Sequence, residues 1–92
     1  MKSDVRDCAA TFSLLSDPTR LGILALLAKG PQSVGGLCDA LGMKQPAVSH
    51  HLGLLRMGRL VEGKRQGKSV IYTADKAALK ATSACLVGLA TR

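Results

Sequence analysis

The sequence contains very few aromatic residues: among 92 residues there is no tryptophan, one phenylalanine (Phe12) and one tyrosine (Tyr72). Proteins that bind single-stranded nucleic acid stack bases on several aromatic rings, so this mode of binding is disfavoured. Long apolar runs are also missing, because no stretch approaches the ~18–20 apolar residues of a membrane span. The N-terminal segment leads into an amphipathic pattern rather than a signal-peptide core, so we expect a cytoplasmic protein without a membrane partner.

The sequence has three cysteines, two histidines and six acidic residues. The cysteines Cys8, Cys38 and Cys85 are odd in number and widely spaced, which does not indicate a disulfide framework. The only histidines, His50 and His51, are adjacent on a predicted helix and point about 100° apart, so they are poorly placed to share a metal ion. The acids are scattered, and there is no nucleophile–base–acid set or phosphate loop, so the sequence indicates neither an enzyme nor a cofactor.

Positive charge is the main compositional feature. Thirteen basic residues against six acids give a net charge of +7 and a pI of about 9.9. Between Lys44 and Lys68 there are six bases and one acid, which leaves seven bases and five acids for the rest of the chain. The excess is concentrated in one segment and favours a polyanionic partner, either nucleic acid or an anionic membrane.

The length predicts one domain, residues 1–92, whose core alone gives marginal stability. An apolar content of 47% leaves residues for a dimer interface. Apolar periodicity and capping residues predict five helices. They are expected over residues 4–15, from Asp17-Pro18 to Lys29, from Ser33 to Leu41, from Gln45-Pro46 to about Met57-Gly58, and from Asp75 to about Ala90.

Two short β-prone runs lie between the fourth and the last predicted helix. They are Leu60-Val61-Glu62 and Val70-Ile71-Tyr72-Thr73, on either side of the basic turn Lys64–Lys68. This pattern predicts a hairpin. The third and fourth helices, joined by a tight turn at Gly42, form a helix-turn-helix unit. We therefore expect a mainly α protein with a β-hairpin wing, which is a winged helix-turn-helix.

The fourth helix has an apolar side and a small polar side. Val48, Leu52 and Leu55 cluster toward the core together with His51, which we expect to be a hydrogen-bonded core histidine. The N-terminal end of the opposite side is the part that a recognition helix inserts into the major groove. Polar side chains there can bond to base edges or phosphates, and Gln45 can pair with adenine. An ordinary solvated helix face is the alternative.

The basic turn completes a predicted DNA-binding surface. Phosphate neutralisation by lysine and arginine supplies most sequence-independent affinity for DNA. A solvated charged turn is the alternative interpretation. The predicted DNA-binding residues are Lys44, Gln45, Ala47, Ser49, His50, Arg56, Lys64, Arg65, Gln66 and Lys68.

Three motifs, in order, give the chain a resemblance to a known family. They are Leu15-Ser16-Asp17-Pro18-Thr19-Arg20-Leu21, Gln45-Pro46-Ala47-Val48-Ser49-His50-His51-Leu52 and Gly67-Lys68-Ser69-Val70-Ile71-Tyr72. The chain resembles the ArsR/SmtB family of bacterial winged-helix repressors from about Phe12 to Thr73. The resemblance implies a homodimer built on the first and last helices, binding to operator DNA, and derepression when an effector binds.

The chain departs from the family pattern at three places. Ser33 and Gly35 match the positions where arsenic- and cadmium-sensing members carry a Cys-x-Cys pair, and the last helix lacks histidine ligands, so we predict no usual metal site. After Arg56 the chain reads Met57-Gly58-Arg59-Leu60, where the family often reads Glu-Ala-Gly-Leu. The glycine is shifted by one, so we expect a different helix exit.

The resemblance also suggests a role for the cysteines. Cys38 lies before the recognition helix, as in members that sense oxidants or reactive sulfur and pair this cysteine with one near the end of the last helix. Cys85 is the candidate partner, and a Cys8–Cys85 pair is a second possibility. Alternatives are a soft metal or arsenic(III) held by two or three thiolates, and plain packing residues.

One competing function is a winged-helix module that binds an acidic protein instead of DNA. The fourth helix argues against it, because its outer side carries basic and small residues rather than an apolar patch. The sequence therefore predicts a homodimeric transcriptional repressor that binds double-stranded DNA in a sequence-specific manner. Its effector is expected to be thiol-reactive or a soft metal.

Overall fold

The computed structural model describes residues 3–91, and the side chains of residues 5–91. Within this range the elements, in chain order, are α1 Ser3–Leu15, α2 Pro18–Lys29, β1 Gln32–Ser33, α3 Val34–Leu41, α4 Gln45–Met57, β2 Val61–Gln66, β3 Ser69–Ala74 and α5 Lys76–Ala90. The predicted winged helix-turn-helix is confirmed. The five predicted helices agree closely with these bounds.

Side chains fix the starts of three helices. Asp17, Ser33 and Asp75 each accept a hydrogen bond from the backbone N–H three residues later, at 3.0 Å. Each bond satisfies a donor that the first turn of a helix leaves without an intrahelical partner. Gly42 ends α3 in the left-handed conformation (φ 64°), which permits the short turn into α4.

The hairpin is longer than the sequence predicted. β2 and β3 are antiparallel and pair as far as Gln66↔Ser69, so Lys64–Gln66 belong to β2 and the turn consists of Gly67 and Lys68. The prediction of a basic turn over Lys64–Lys68 was wrong in this respect. These residues are exposed on both faces of the hairpin, so no apolar alternation marks them as strand.

A third strand, β1, was not predicted. It pairs with β3 through Gln32↔Tyr72 and Ser33↔Ile71, which gives the sheet order β1-β3-β2. A strand of two residues has no periodicity of its own and exists only because the tertiary structure brings β3 beside it. It attaches the base of the wing to the start of α3, so the wing and the helix-turn-helix form one unit.

The core joins α2, α3, α4 and the start of β2. Its buried members are Ile23, Leu24, Leu27, Leu37, Val48, Leu52, Leu55, Leu60 and Val61. By contrast, α5 buries only Thr82, and large apolar side chains on the two terminal helices stay exposed: Val5, Leu86, Val87 and Leu89. None of the helices described here is long and apolar enough to cross a membrane.

Candidate nucleic-acid interface

Helix α4 is held by one side and exposed on the other. Val48, Leu52 and Leu55 are 0–1% exposed, as predicted. The residues at its N-terminal end that the sequence assigned to DNA are all exposed: Lys44, Gln45, Ala47, Ser49 and His50. Burial of the apolar side fixes the rotation of the helix, so the polar side must face outward.

Arg56 is also exposed, but it lies in the last turn of α4. It lies eleven residues after Gln45, which is about 16 Å along the helix at a rise of 1.5 Å per residue. It is therefore remote from the end of α4 that reads bases in a recognition helix. A phosphate is the DNA group that such a position can reach.

The wing extends its cations into solvent. Lys64, Arg65, Gln66 and Lys68 are all exposed. Gly67 has φ 62° at the first position of a two-residue turn, the place that a type II′ hairpin reserves for glycine. The Nε of Arg65 donates to the Gly67 carbonyl at 3.5 Å, a long bond in an exposed setting. The guanidinium thus lies at the turn, where it can follow a phosphate backbone.

The recognition helix and the wing border one cavity. Gln45 of α4 and Lys68 of the wing both line a recess of about 310 Å³, whose other walls come from β3 and the start of α3. The remaining lining residues are Ser33, Val34, Gly35, Ser69 and Val70. The structure therefore brings together two groups of residues that the sequence assigned to DNA separately.

His51 takes part in a polar cluster behind the exposed side of α4. Its Nδ1 lies 3.4 Å from a guanidinium nitrogen of Arg20 and 4.0 Å from a carboxylate oxygen of Asp17. The Nε of Arg20 donates to the Leu14 carbonyl at 2.8 Å. The expected polar contact is thus found, but His51 is half-buried and does not belong to the core. Sequence reasoning had assigned Asp17 only to capping and had missed Arg20, because the contact with His51 joins residues 31 positions apart.

The Asp17 carboxylate is charged over the neutral pH range. The backbone N–H of Arg20, which donates to it, is the main cause that holds the pKa of Asp17 below its usual value, and the positive charge of Arg20 acts in the same direction. Partial burial opposes this shift. Asp17 therefore supplies a fixed negative charge beside Arg20 and His51.

The cysteines lie in two places. Cys8 and Cys85 line one groove of about 470 Å³ between α1 and α5, together with Phe12 and other apolar residues. Cys38 packs against the hydrophobic core from α3. All three are half-buried. The structure thus brings Cys8 and Cys85 to a common groove, while Cys38 lines neither of the two cavities that Cys8 borders.

The positions at which the family usually carries metal ligands are occupied here by residues with other roles. Ser33, at the first Cys-x-Cys position, uses its hydroxyl to cap α3, and Gly35 is exposed. The rings of His50 and His51 meet edge to face with their centroids 5.6 Å apart. In the part of the chain that the structure describes, no group of three or more His, Cys, Asp or Glu side chains converges on a point that could hold a metal ion.

The exit of α4 differs from the common family pattern in a definite way. Arg59, and not the neighbouring glycine, adopts the left-handed conformation (φ 61°), which is unfavourable for a residue with a Cβ. Gly58 has φ −80°, but a Cβ built on it would overlap the side chain of Leu14 on α1. The left-handed conformation at the end of α4 therefore falls on Arg59 and not on the glycine.

A helix-turn-helix with a cationic hairpin beside its second helix defines a winged-helix protein of the DNA-binding class. Residues 17–62 match the model of a family described as bacterial regulatory protein, arsR family. The chain belongs to this family. The resemblance inferred from the three sequence motifs is thereby confirmed.

Individual relatives agree with this assignment. The chain is 48% identical over 65 residues to the HTH-type transcriptional regulator NmtR of Mycobacterium tuberculosis, a match covering 71% of this chain and 54% of that protein. It is also 48% identical over 62 residues to the arsenical resistance operon repressor of Escherichia coli, covering 66% and 53%. The chain thus spans about half the length of these curated relatives. An ArsR-like transcriptional regulator from a Rhodococcus species superposes with a TM-score of 0.88 at 31% identity, covering 98% and 85%.

Proposed function

We propose that the protein is a homodimeric transcriptional repressor that binds an imperfect two-fold site in double-stranded DNA and leaves it when an effector reacts with its cysteine thiols. Operator binding requires access to the chromosome, so its place of action is the cytoplasm. The observation that carries the proposal is the shared recess between Gln45 and Lys68, which joins the reading end of α4 to the wing.

Binding to duplex DNA divides between these two elements. The exposed cations of the wing neutralise phosphates, which supplies affinity without sequence preference. Gln45, Ser49 and His50 face outward from the first turns of α4 and read base edges in the major groove. Lys44 lies just before them, and the small side chain of Ala47 lets the helix approach DNA closely. The N-terminal end of α4 can therefore enter the groove first.

Dimerisation uses the uncovered terminal helices. Leu86, Val87 and Leu89 are 54–57% exposed, and α5 buries a single residue over its 15-residue length. A second copy of the chain, related by a two-fold axis, covers this apolar face and duplicates the recognition helix. The half-sites then lie about one helical turn or a multiple apart, roughly 34–36 Å per turn.

The dimer is tested by sedimentation of two variants with equally exposed leucines. Leu86→Asp should sediment as a monomer and lose binding to two-fold duplexes. Leu21→Asp is the matched control, because Leu21 is 52% exposed against 54% for Leu86 but lies on α2. A dimeric Leu86→Asp, or a wild type that protects only one half-site from nuclease, would contradict the proposal.

The effector acts on thiols in this proposal, and the groove between α1 and α5 favours Cys8 and Cys85 as the reacting pair. A peroxide-type oxidant converts the two thiols to a disulfide; two protons and two electrons leave the sulfurs and the peroxide is reduced to water. The bond requires Cα atoms within about 7 Å, so it draws α1 and α5 together and alters the spacing of the recognition helices. Cys38 with Cys85 is the second pairing to be tested.

A soft metal or arsenic(III) is the other candidate effector. It is favoured by the 48% identical relative named as an arsenical resistance operon repressor and by the two thiols in one groove. Soft thiolate ligands bind such ions in preference to hard ones.

The experiment is a gel-shift titration of a duplex that the wild-type protein selects from a random-sequence pool, with reduced protein, peroxide-treated protein, and protein with arsenite. Peptide mapping identifies any linked sulfurs. If peroxide releases the wild-type protein from DNA and the substitution Cys85→Ser prevents this release, the thiol-oxidation proposal is supported. If only arsenite releases the protein, the alternative is supported. If the double variant Cys8→Ser/Cys85→Ser and the variant Cys38→Ser all respond like the wild type, the thiols are not the sensor.

A further inference from the structure

The contact between Arg20 and His51 constrains the protonation state of the histidine. A guanidinium has only donors, so the Nδ1 atom 3.4 Å away can bond to it only as an acceptor. This hydrogen bond therefore requires a neutral His51 that carries its proton on Nε2. Protonation would remove the acceptor and leave two positive groups facing each other.

The charges around the ring make this state sensitive to a proton. Asp17 and Arg20 reach His51 from the start of α2, and the titratable group beside it on α4 is His50. With His51 neutral, the charges of Asp17 and Arg20 balance. A proton on His51 adds one uncompensated positive charge and favours a shift of the ring toward Asp17, whose carboxylate oxygen is 4.0 Å away.

Arg20 also ties the recognition helix to α1. Its Nε donates to the Leu14 carbonyl in the last turn of α1, an acceptor that a helix end leaves without an intrahelical partner. The same guanidinium thus contacts α1, which carries part of the proposed dimer face, and α4, which carries the reading face. Base readout requires side chains held within about 0.5 Å of their productive position, so a contact at this junction affects recognition.

We propose that Arg20 and neutral His51 are positioning residues that set the orientation of the α4 reading face, and that protonation of His51 lowers the affinity for operator DNA. The inference rests on the proposed function, because it concerns the orientation of α4 on DNA. Neither side chain touches DNA in this role. Histidine is the side chain whose unperturbed charge change lies between about pH 5 and pH 8, and the test below covers that range.

Two substitutions at His51 separate the effect of losing the hydrogen-bond acceptor from the effect of protonation. His51→Asn keeps an acceptor oxygen near the Nδ1 position but does not titrate in this range, whereas His51→Leu removes the acceptor. At about pH 8, His51→Asn should bind DNA like the wild type, and His51→Leu should bind about fivefold or more weakly with its helical circular dichroism unchanged.

A purely structural role of His51 would not make the affinity for DNA depend on its protonation, so the decisive measurement is the affinity as a function of pH. The dissociation constant for the selected duplex is measured from about pH 8 to about pH 5.5 for the wild type and His51→Asn. The wild-type value should rise about fivefold more than that of His51→Asn. Both proteins retain His50, so any gain in phosphate attraction from its protonation cancels in the ratio. Equal ratios, or wild-type affinity in His51→Leu, would overturn the inference.

Nitrogen NMR of the wild-type protein without DNA decides the contact even if a variant fails to fold. The neutral ring of His51 should carry its proton on Nε2, with Nδ1 shifted as a hydrogen-bonded acceptor. A proton on Nδ1 would refute the Arg20 contact. Failure of the wild type to bind any duplex would instead refute the proposed function, and the NMR result would still decide the state of His51.

Discussion

Removal of the Lys64 ammonium group should weaken binding to every duplex equally and make binding less sensitive to salt. Lys64 is exposed on β2, and no ion pair involving it is present among the described residues. Each phosphate that a lysine neutralises contributes about 0.9 to the slope of log affinity against log salt. A dimer carries two wings, so Lys64→Ala should lower the slope by about 1.8.

The difference is large enough to measure directly. Between about 50 and 200 mM salt, a slope difference of about 1.8 means that the wild type loses about twelvefold more affinity than Lys64→Ala. Fluorescence anisotropy with a labelled duplex gives both slopes. Lys29→Ala is the matched control, because Lys29 is an exposed lysine at the end of α2, outside the basic segment that begins at Lys44. An unchanged slope in Lys64→Ala would show that the wing does not contact DNA.

Three further outcomes are expected. Gln45→Ala should lose about 1–3 kcal/mol of discrimination between cognate and mismatched duplexes while its salt slope stays unchanged, and equal losses on both duplexes would refute base readout. Arg59→Gly should raise the free energy of unfolding by up to about 1 kcal/mol in urea, because it relieves the left-handed strain; a loss would contradict that origin. Asp17→Asn should make the free energy of unfolding depend less steeply on pH in the acid range. The folded-state pKa of Asp17 is lowered, so its stabilisation is present above its unfolded value and is lost as the pH falls through the folded one; identical acid titration curves would refute this role.

The sequence predicted those elements whose signals are local. Helix α4 follows from the spacing of Val48, Leu52 and Leu55, all of which are buried. The caps at Asp17 and Ser33 need only a backbone N–H three residues away, so they too can be read from the chain. Because these three residues determine which side of α4 is buried, they also determine which side is exposed, and the polar residues lie on that exposed side.

Features that depend on distant contacts were not predictable in this way. β1 exists because Gln32 and Ser33 meet β3 about forty residues later, and the polar end of the hairpin is strand because it pairs, not because of its composition. The Arg20–His51 contact and the common groove of Cys8 and Cys85 also require the helices to be placed relative to one another. Single-sequence periodicity gives the face of each helix but not the neighbour that it meets.

The most direct test of the central claim is an NMR titration of the isotope-labelled protein with the selected duplex, which maps the contact surface without any substitution. The account predicts that backbone amide shifts concentrate at residues 44–50 of α4 and 64–68 of the wing, with smaller changes across the α1–α5 groove. Shifts confined to α1 and α5, or an unperturbed wing, would contradict it.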